Sequence, residues 1–207
     1  RSFILLGIFL GLGFLSKYAA IYFILCLILL ILLDKKFRKI FFNNLLGFCL
    51  TLLFILIIIT PNIIWNINNN WITLHHTSDN ANFANLNVSL IRGLEFLLIQ
   101  VLMLGPFMVL GGLISFSKIN YKQKIFLIFS LPIILIVLIE AIIVRANANW
   151  AAPALISLFA FLYIGIYNSF LKILNFVFNF VFCVIVFVLI AISYPSSLFD
   201  RISGLNQ

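Results

Sequence analysis

SFILLGIFLGLGFLSKYAAIYFILCLILLILL, residues Ser2 to Leu33, is the stretch on which the fold turns. A helix needs about 20 apolar residues to cross a hydrocarbon core of about 30 Å. This run is too long for one such helix, and the polar Ser16-Lys17-Tyr18 interrupt it midway. Two short helices meeting at Lys17 fit it better than one long one. The rest of the chain has the same character. Of 207 residues, 65% are hydrophobic and 9% are charged, with a mean hydropathy of +1.26. Soluble domains lie near half apolar and a quarter charged, so the composition is that of an integral membrane protein.

Further apolar segments follow in order: Ile40–Ile59, Leu90–Ile114, Ile125–Val144, Ala151–Tyr167 and Ile173–Ile192. Proline removes a helix donor and disfavours helix in the residue before it, so Pro61 is expected to end the first of these. Gly105-Pro106 should kink the second, and Ser193–Gln207 reads as a polar tail. The expectation is an all-α polytopic membrane protein with about seven transmembrane or half-spanning helices. These form a single membrane domain over residues 1–207, with one long external loop over residues 60–89.

Charge sets the orientation. The connections Asp34–Lys39, Ser115–Lys124 and Asn168–Lys172 carry eight basic residues, whereas Thr60–Ser89 carries none and RANANW (Arg145–Trp150) has only Arg145. Lys and Arg in short loops mark the cytoplasmic side. The long loop, RANANW and the tail therefore face the periplasm or exterior, and Lys17 lies near that outer interface. A net charge of +8 in such connections reads as topology-setting charge and anionic-lipid contact, not nucleic-acid binding. Cys26, Cys49 and Cys183 each lie in an apolar run, with neither disulfide nor metal-ligand spacing. Arg1 directly precedes a spanning run, and the expectation is a fragment whose N-terminal part lies upstream.

Polar groups inside a membrane are functional candidates unless paired or wet. Lys17 can snorkel to the headgroups, or its compact ammonium can pair with a phosphate held at the interface. Gly11 and Gly13 beside it would permit close backbone approach. The long loop, TPNIIWNINNNWITLHHTSDNANFANLNVS, holds Trp65, Trp71, His75, His76, Asp79, Asn80 and Asn82. It reads either as a solvated loop with Trp anchors or as sugar-binding chemistry, in which amides and carboxylates pair with hydroxyls. Adjacent histidines point in different directions, so a metal site there lacks its ligands. Arg92 and Glu95, three apart on a helix, can pair, and Gln100 suits an interhelical hydrogen bond. RANANWAAP (Arg145–Pro153) reads equally as an interfacial turn or as an anion-holding loop, with Asn147 and Asn149 near Arg145.

The set GLGFLSKYAA, TPNIIWNINNNWITLHHTSDNAN, IQVLMLGP and RANANWAAP, in this order, resembles bacterial membrane glycosyltransferases related to the dolichyl-phosphate-mannose protein mannosyltransferases. The lipid A aminoarabinose transferases are more distant relatives in the same group. The resemblance covers about residues 1 to 160, and each motif alone is weak. It implies the C-terminal part of a C-type glycosyltransferase, a multi-pass protein of the cell inner membrane. Such a protein moves sugar from a polyprenyl-phosphate-linked donor to a lipid, glycan or protein acceptor at the outer face. By the same resemblance Lys17 and Arg145 contact the lipid phosphate. His75, His76, Asp79, Asn80, Asn149 and Trp150 face the donor or its sugar, with Asn149 also placed as a phosphate contact. The general base and a possible divalent metal belong, in such families, to acidic residues in a first external loop, which would precede Arg1. Two other readings stand beside it: a secondary transporter or lipid flippase, which would want broken helices and charges near the midplane, and a non-functional remnant.

Overall fold

A computed structural model describes residues 2–81, 87–114, 120–144, 146–166 and 168–193. The expectations placed on Asn82, Arg145 and the tail beyond Ser193 fall outside them, as do the side chains of His76, Asp79 and Asn80. The described chain is helical and contains no strand. In order the helices are α1 (Ser2–Ser16), α2 (Ile21–Leu33), α3 (Lys35–Asn43), α4 (Leu45–Asn68), α5 (Ile72–Ala81), α6 (Leu90–Leu104), α7 (Pro106–Ile114), α8 (Tyr121–Ile128), α9 (Leu131–Ile143), α10 (Ala152–Gly165) and α11 (Ser169–Ser193). Short 3-10 turns cover Tyr18–Ala20 and Ala148–Ala151.

Four stretches are long and apolar enough to cross a membrane: Leu45–Asn68, Tyr121–Ile143, Ala148–Gly165 and Ser169–Ile192. Two bent pairs, Tyr18–Leu33 with Lys35–Asn43 and Leu90–Leu104 with Pro106–Ile114, raise the number to six if each is one span. With the shorter apolar α1, this is the polytopic helical protein expected from the composition. As expected too, the first long run breaks at Lys17, whose backbone is extended (φ −157°, ψ 124°) between α1 and the turn that leads into α2.

The chain divides into two compact units, Arg1–Gln100 with Lys118–Phe161, and Val101–Ser117 with Leu162–Gln207. In the first, α1 lies tightly on α4. The Thr51 hydroxyl of α4 is 2.9 Å from the Phe3 carbonyl of α1, and the glycines of α1 make the close approach possible. A Cβ at Gly7 would stand 2.6 Å from the Thr51 carbonyl oxygen, and one at Gly11 would stand 2.7 Å from the Cβ of Ile58. Membrane helices lack a hydrophobic drive toward one another, so such small-residue contacts carry the association. The part of the expectation that concerned Gly13 is corrected: nothing lies within 4 Å of where its Cβ would be. Deeper in the same unit, Cys26, Phe96, Ile133, Val137, Ala141, Ala151 and Ala154 form the buried core.

Residues 60–89 depart furthest from expectation. Pro61 does not end a helix; α4 runs through it to Asn68. A proline forfeits one donor, but membrane helices tolerate it where side chains and neighbouring helices re-satisfy the backbone. Beside it the Thr60 hydroxyl donates to the Leu56 carbonyl at 2.6 Å and the Asn66 amide to that of Asn62 at 3.0 Å; neither is the Ile57 carbonyl, the one that lacks the Pro61 donor. A turn then places Asn70 (φ 52°) and Trp71 (φ 55°) in the left-handed region, and α5 follows. What read as one long loop is mostly helix.

In the second unit, α6 ends and α7 begins at Gly105 (φ +91°), where a kink was expected. Asn175 of α11 closes the break. Its Oδ1 accepts from the Met108 amide at 2.9 Å and its Nδ2 donates to the Leu104 carbonyl at 3.1 Å. A side chain at position 105 would collide with Asn175.

The glycine contacts predict a matched result in detergent. Gly7→Ala and Gly11→Ala should each destabilise the chain by about 1–3 kcal/mol, the usual cost of overpacking, while Gly13→Ala should not destabilise it. Thermal unfolding followed by circular dichroism checks the set, and equal stability of all three variants would contradict the packing.

Candidate functional site

The candidate site grows from the break at Lys17. Because α1 stops at Ser16 and the chain there is extended, the Lys17 side chain leaves the helix axis, and its Nζ donates to the backbone carbonyl of Asn149 at 2.8 Å. That carbonyl belongs to the turn over Ala148–Ala151, within the RANANW connection. The carbonyl one residue earlier, of Ala148, accepts from Gln100 Nε2 at 3.1 Å. Three separated motifs thus meet on two consecutive peptide groups. Gln100 is 4% exposed, and its Oε1 has no partner among the described residues. Lys17 is exposed. An ammonium has three donors; among the described residues one is spent on Asn149, which leaves two that could meet an anion.

Beside Lys17, the Tyr18 hydroxyl is 3.1 Å from Asn62 Oδ1 and 3.3 Å from Thr73 Oγ1. Asn66, 3% exposed, donates to Asn62 Oδ1 at 3.2 Å and accepts from the Thr73 hydroxyl. This network fastens the end of α4 and the start of α5 to the break after α1. It brings His75, exposed and two residues beyond Thr73, onto the element that docks there. No described contact joins His75 to Lys17.

Arg92 behaves differently from expectation. Among the described residues no ion pair joins it to Glu95; its guanidinium donates to the carbonyls of Val144 and, at 3.5 Å, Ile142. Those carbonyls end α9 and have no helical partner of their own, so a cation at that end gains more there than from an exposed carboxylate. Backbone bonds from Asn87 to Ile143 (3.0 Å) and from Ser89 to Ile142 (2.8 Å) reinforce the same junction.

Of the residues singled out in the sequence, Lys17 and Asn149 are therefore brought together, the latter through its backbone oxygen, with its side chain exposed. Trp150 is half-buried and packs against the buried core around Ala151, so it serves as a structural wall more than a surface anchor. Arg145 and the side chains of His76, Asp79 and Asn80 lie outside the described residues. Sequence reading missed Tyr18, Asn62, Asn66, Thr73 and Asn175. Asn175 and Asn179, one turn apart in an otherwise apolar helix, carried a readable signal. No three His, Cys, Asp or Glu side chains converge among the described residues.

Comparison with known proteins gives two matches. The family described as dolichyl-phosphate-mannose-protein mannosyltransferase matches residues 1–65, the segment that contains α1, Lys17, Tyr18 and most of α4. A lipid A galacturonosyltransferase, RgtD of Rhizobium johnstonii (strain DSM 114642 / LMG 32736 / 3841), is 26% identical over 159 residues, 74% of this chain and 33% of that protein. By both matches the chain is similar to the bacterial membrane glycosyltransferases akin to the dolichyl-phosphate-mannose protein mannosyltransferases. The chain spans about a third of the length of that curated relative. No solved structure matches it.

Gln100→Leu should leave the Ala148 carbonyl without its donor, at a cost of about 1–3 kcal/mol for a buried unpaired group. The expected readouts are lowered thermal stability and faster amide exchange at residues 148–150. Wild-type values in both would show that the hydrogen bond does not hold the turn.

Proposed function

We propose that this chain provides the lipid-phosphate-holding part of a glycosyltransferase that uses a polyprenyl-phosphate-linked sugar at the outer face of the membrane. The observation that carries the proposal is the exposed Lys17 ammonium. It is oriented by the Asn149 carbonyl at 2.8 Å and backed by the Tyr18 network. The similarity to the dolichyl-phosphate-mannose-protein mannosyltransferase family and to a lipid A galacturonosyltransferase supports it. The curated relative is named for lipid A as acceptor, which favours a lipid acceptor over a glycan or protein.

In the reaction, the acceptor hydroxyl oxygen attacks the anomeric carbon. A new C–O bond forms as the bond between that carbon and the phosphate oxygen breaks. The polyprenyl phosphate leaves with the electron pair, and the hydroxyl proton passes to a base. The groups gathered at Lys17 are a cation, amides, hydroxyls and carbonyls. They can bind and orient, but among the described residues none is a carboxylate suited to take that proton. The proposal therefore gives this site the leaving group and assigns the base to residues elsewhere. Charge builds on the leaving phosphate, so a positioned cation stabilises the transition state more than the ground state. Arg145, Asn149, His75, His76, Asp79 and Asn80 are proposed as further contacts to phosphate and sugar.

The break at Gly105 favours a second reading, a transporter, because discontinuous helices expose backbone groups that coordinate cargo. Here those groups are already taken: Asn175 pairs with both the Leu104 carbonyl and the Met108 amide. The site at Lys17 keeps free donors, and the transferase reading accounts for them.

Removing a positioned contact of this kind typically costs on the order of 10²–10³ in rate. Lys17→Ala should therefore lower transfer of radiolabelled sugar from polyprenyl phosphate, in membranes expressing the protein, by about that factor with protein levels unchanged. Lys17→Arg should keep part of the activity. Wild-type turnover from the alanine variant would defeat the phosphate role, and movement of lipid without a new glycosidic bond would favour the transporter.

A further inference from the structure

On the side of the molecule away from Lys17 in sequence, the chain leaves α2 at Asp34 and turns by 108° into α3. This nine-residue helix, KKFRKIFFN, has sharply divided faces. At about 100° per residue, Lys35, Lys36 and Lys39 share one arc, and Phe37 and Phe41 lie opposite. The aromatic face packs on α4, with Phe41 4.7 Å and Phe37 6.4 Å from the Phe48 ring. The three lysines are exposed.

The start of α8 adds to the same surface. Lys124 Nζ is 3.7 Å from Asp34 Oδ2, the Tyr121 hydroxyl donates to Asp34 Oδ1 at 3.3 Å, and the Lys36 ammonium sits 4.9 Å from the Tyr121 ring centre. Lys122 and Lys124 are exposed beside them. Asp34 is the acid within this cluster, and it is committed to structure. Its Oδ1 accepts from the Phe37 amide at 2.7 Å as the cap of α3, and its exposure is 6%. That backbone bond, helped by Tyr121 and Lys124, holds its carboxyl below the usual range. It stays ionised but does not neutralise the five lysines.

What meets this surface is fixed by its surroundings. Phe42 is 62% exposed, Leu46 77%, and Leu32 and Leu33 are 63% and 61% exposed. Large apolar side chains this bare need hydrocarbon, while lysines one turn away need water or an anion. Only the boundary of a bilayer offers both to one short helix. Alternation of charge along the chain expects this side to be the cytoplasmic one, and a leaflet there carries anionic lipid.

We propose that α3, with Lys122 and Lys124, is a binding surface for the phosphate groups of anionic phospholipids, lying flat at the headgroup level of the basic side. The bend at Asp34 creates it: without the cap, the lysines would continue along α2 into a span instead of across the surface. Charged loops that merely set topology have no need of a folded, two-faced helix or of a second element to complete it. This surface is independent of the reaction proposed for Lys17.

The test uses the 207-residue chain in detergent, titrated with phosphatidylglycerol and separately with phosphatidylcholine, with bound lipid counted by native mass spectrometry. Wild type should prefer phosphatidylglycerol, and raised salt should weaken the preference. Each neutralised lysine should cost about threefold to fivefold in phosphatidylglycerol binding, so the combined Lys35→Gln, Lys36→Gln, Lys39→Gln variant should lose most of it. The matching Lys→Arg variant should retain it. Should the glutamine triple fail to fold by circular dichroism, the single Lys39→Gln and the salt titration of wild type decide instead. Equal binding of the two lipids by wild type, or an undiminished preference in a folded glutamine variant, would overturn the proposal.

Discussion

Wherever an apolar helix stops inside a membrane, its terminal carbonyls and amides must find partners that water cannot supply. That constraint organises this chain. Several of the described breaks are closed by a polar side chain from a distant part of the sequence. Lys17 and Gln100 take the consecutive carbonyls of Asn149 and Ala148, Arg92 takes those of Ile142 and Val144, and Asn175 takes both sides of the break at Gly105. The rare hydrophilic residues are therefore spent on architecture first. A candidate for chemistry is one that retains capacity after its structural bond is made, and Lys17 does so.

The packing of α1 on α4 makes this arrangement usable. Close approach at Gly7 and Gly11 sets the end of α1 beside the end of α4. Tyr18 can then reach Asn62, Asn66 and Thr73. Lys17, next in the chain, is left pointing at the turn that follows α9 and exposed on its remaining sides. A cation so oriented loses little freedom on meeting an anion, which is how a fold built to satisfy its own backbone can also be preorganised for a phosphate.

Much of this was legible in the sequence because it follows from length and polarity. A run as long as Ser2–Leu33 cannot be one span, and Gly105-Pro106 cannot continue a helix undisturbed. The motif order also carried the likeness to that superfamily. What escaped was decided by partners remote in sequence. Pro61 sits within α4, since a membrane helix held by its neighbours tolerates the loss of one donor, so a rule for isolated helices failed. The polar run after it, lacking apolar periodicity, read as a loop although the network of Tyr18, Asn66 and Thr73 docks part of it as α5. Arg92 had a carboxylate three residues away and found backbone carbonyls that only the tertiary fold provides.

Whether the Lys17 ammonium meets a phosphate can be measured without catalysis. The chain, labelled with ¹⁵N at its lysine side chains, is placed in bilayers with a polyprenyl monophosphate, whose phosphorus signal is distinct from that of the phosphodiester lipids. Solid-state ³¹P–¹⁵N recoupling then reports direct proximity. The account predicts a coupling between the monophosphate and a lysine nitrogen that disappears in Lys17→Gln. Absence of any such coupling in wild type, or its survival in the variant, would contradict it.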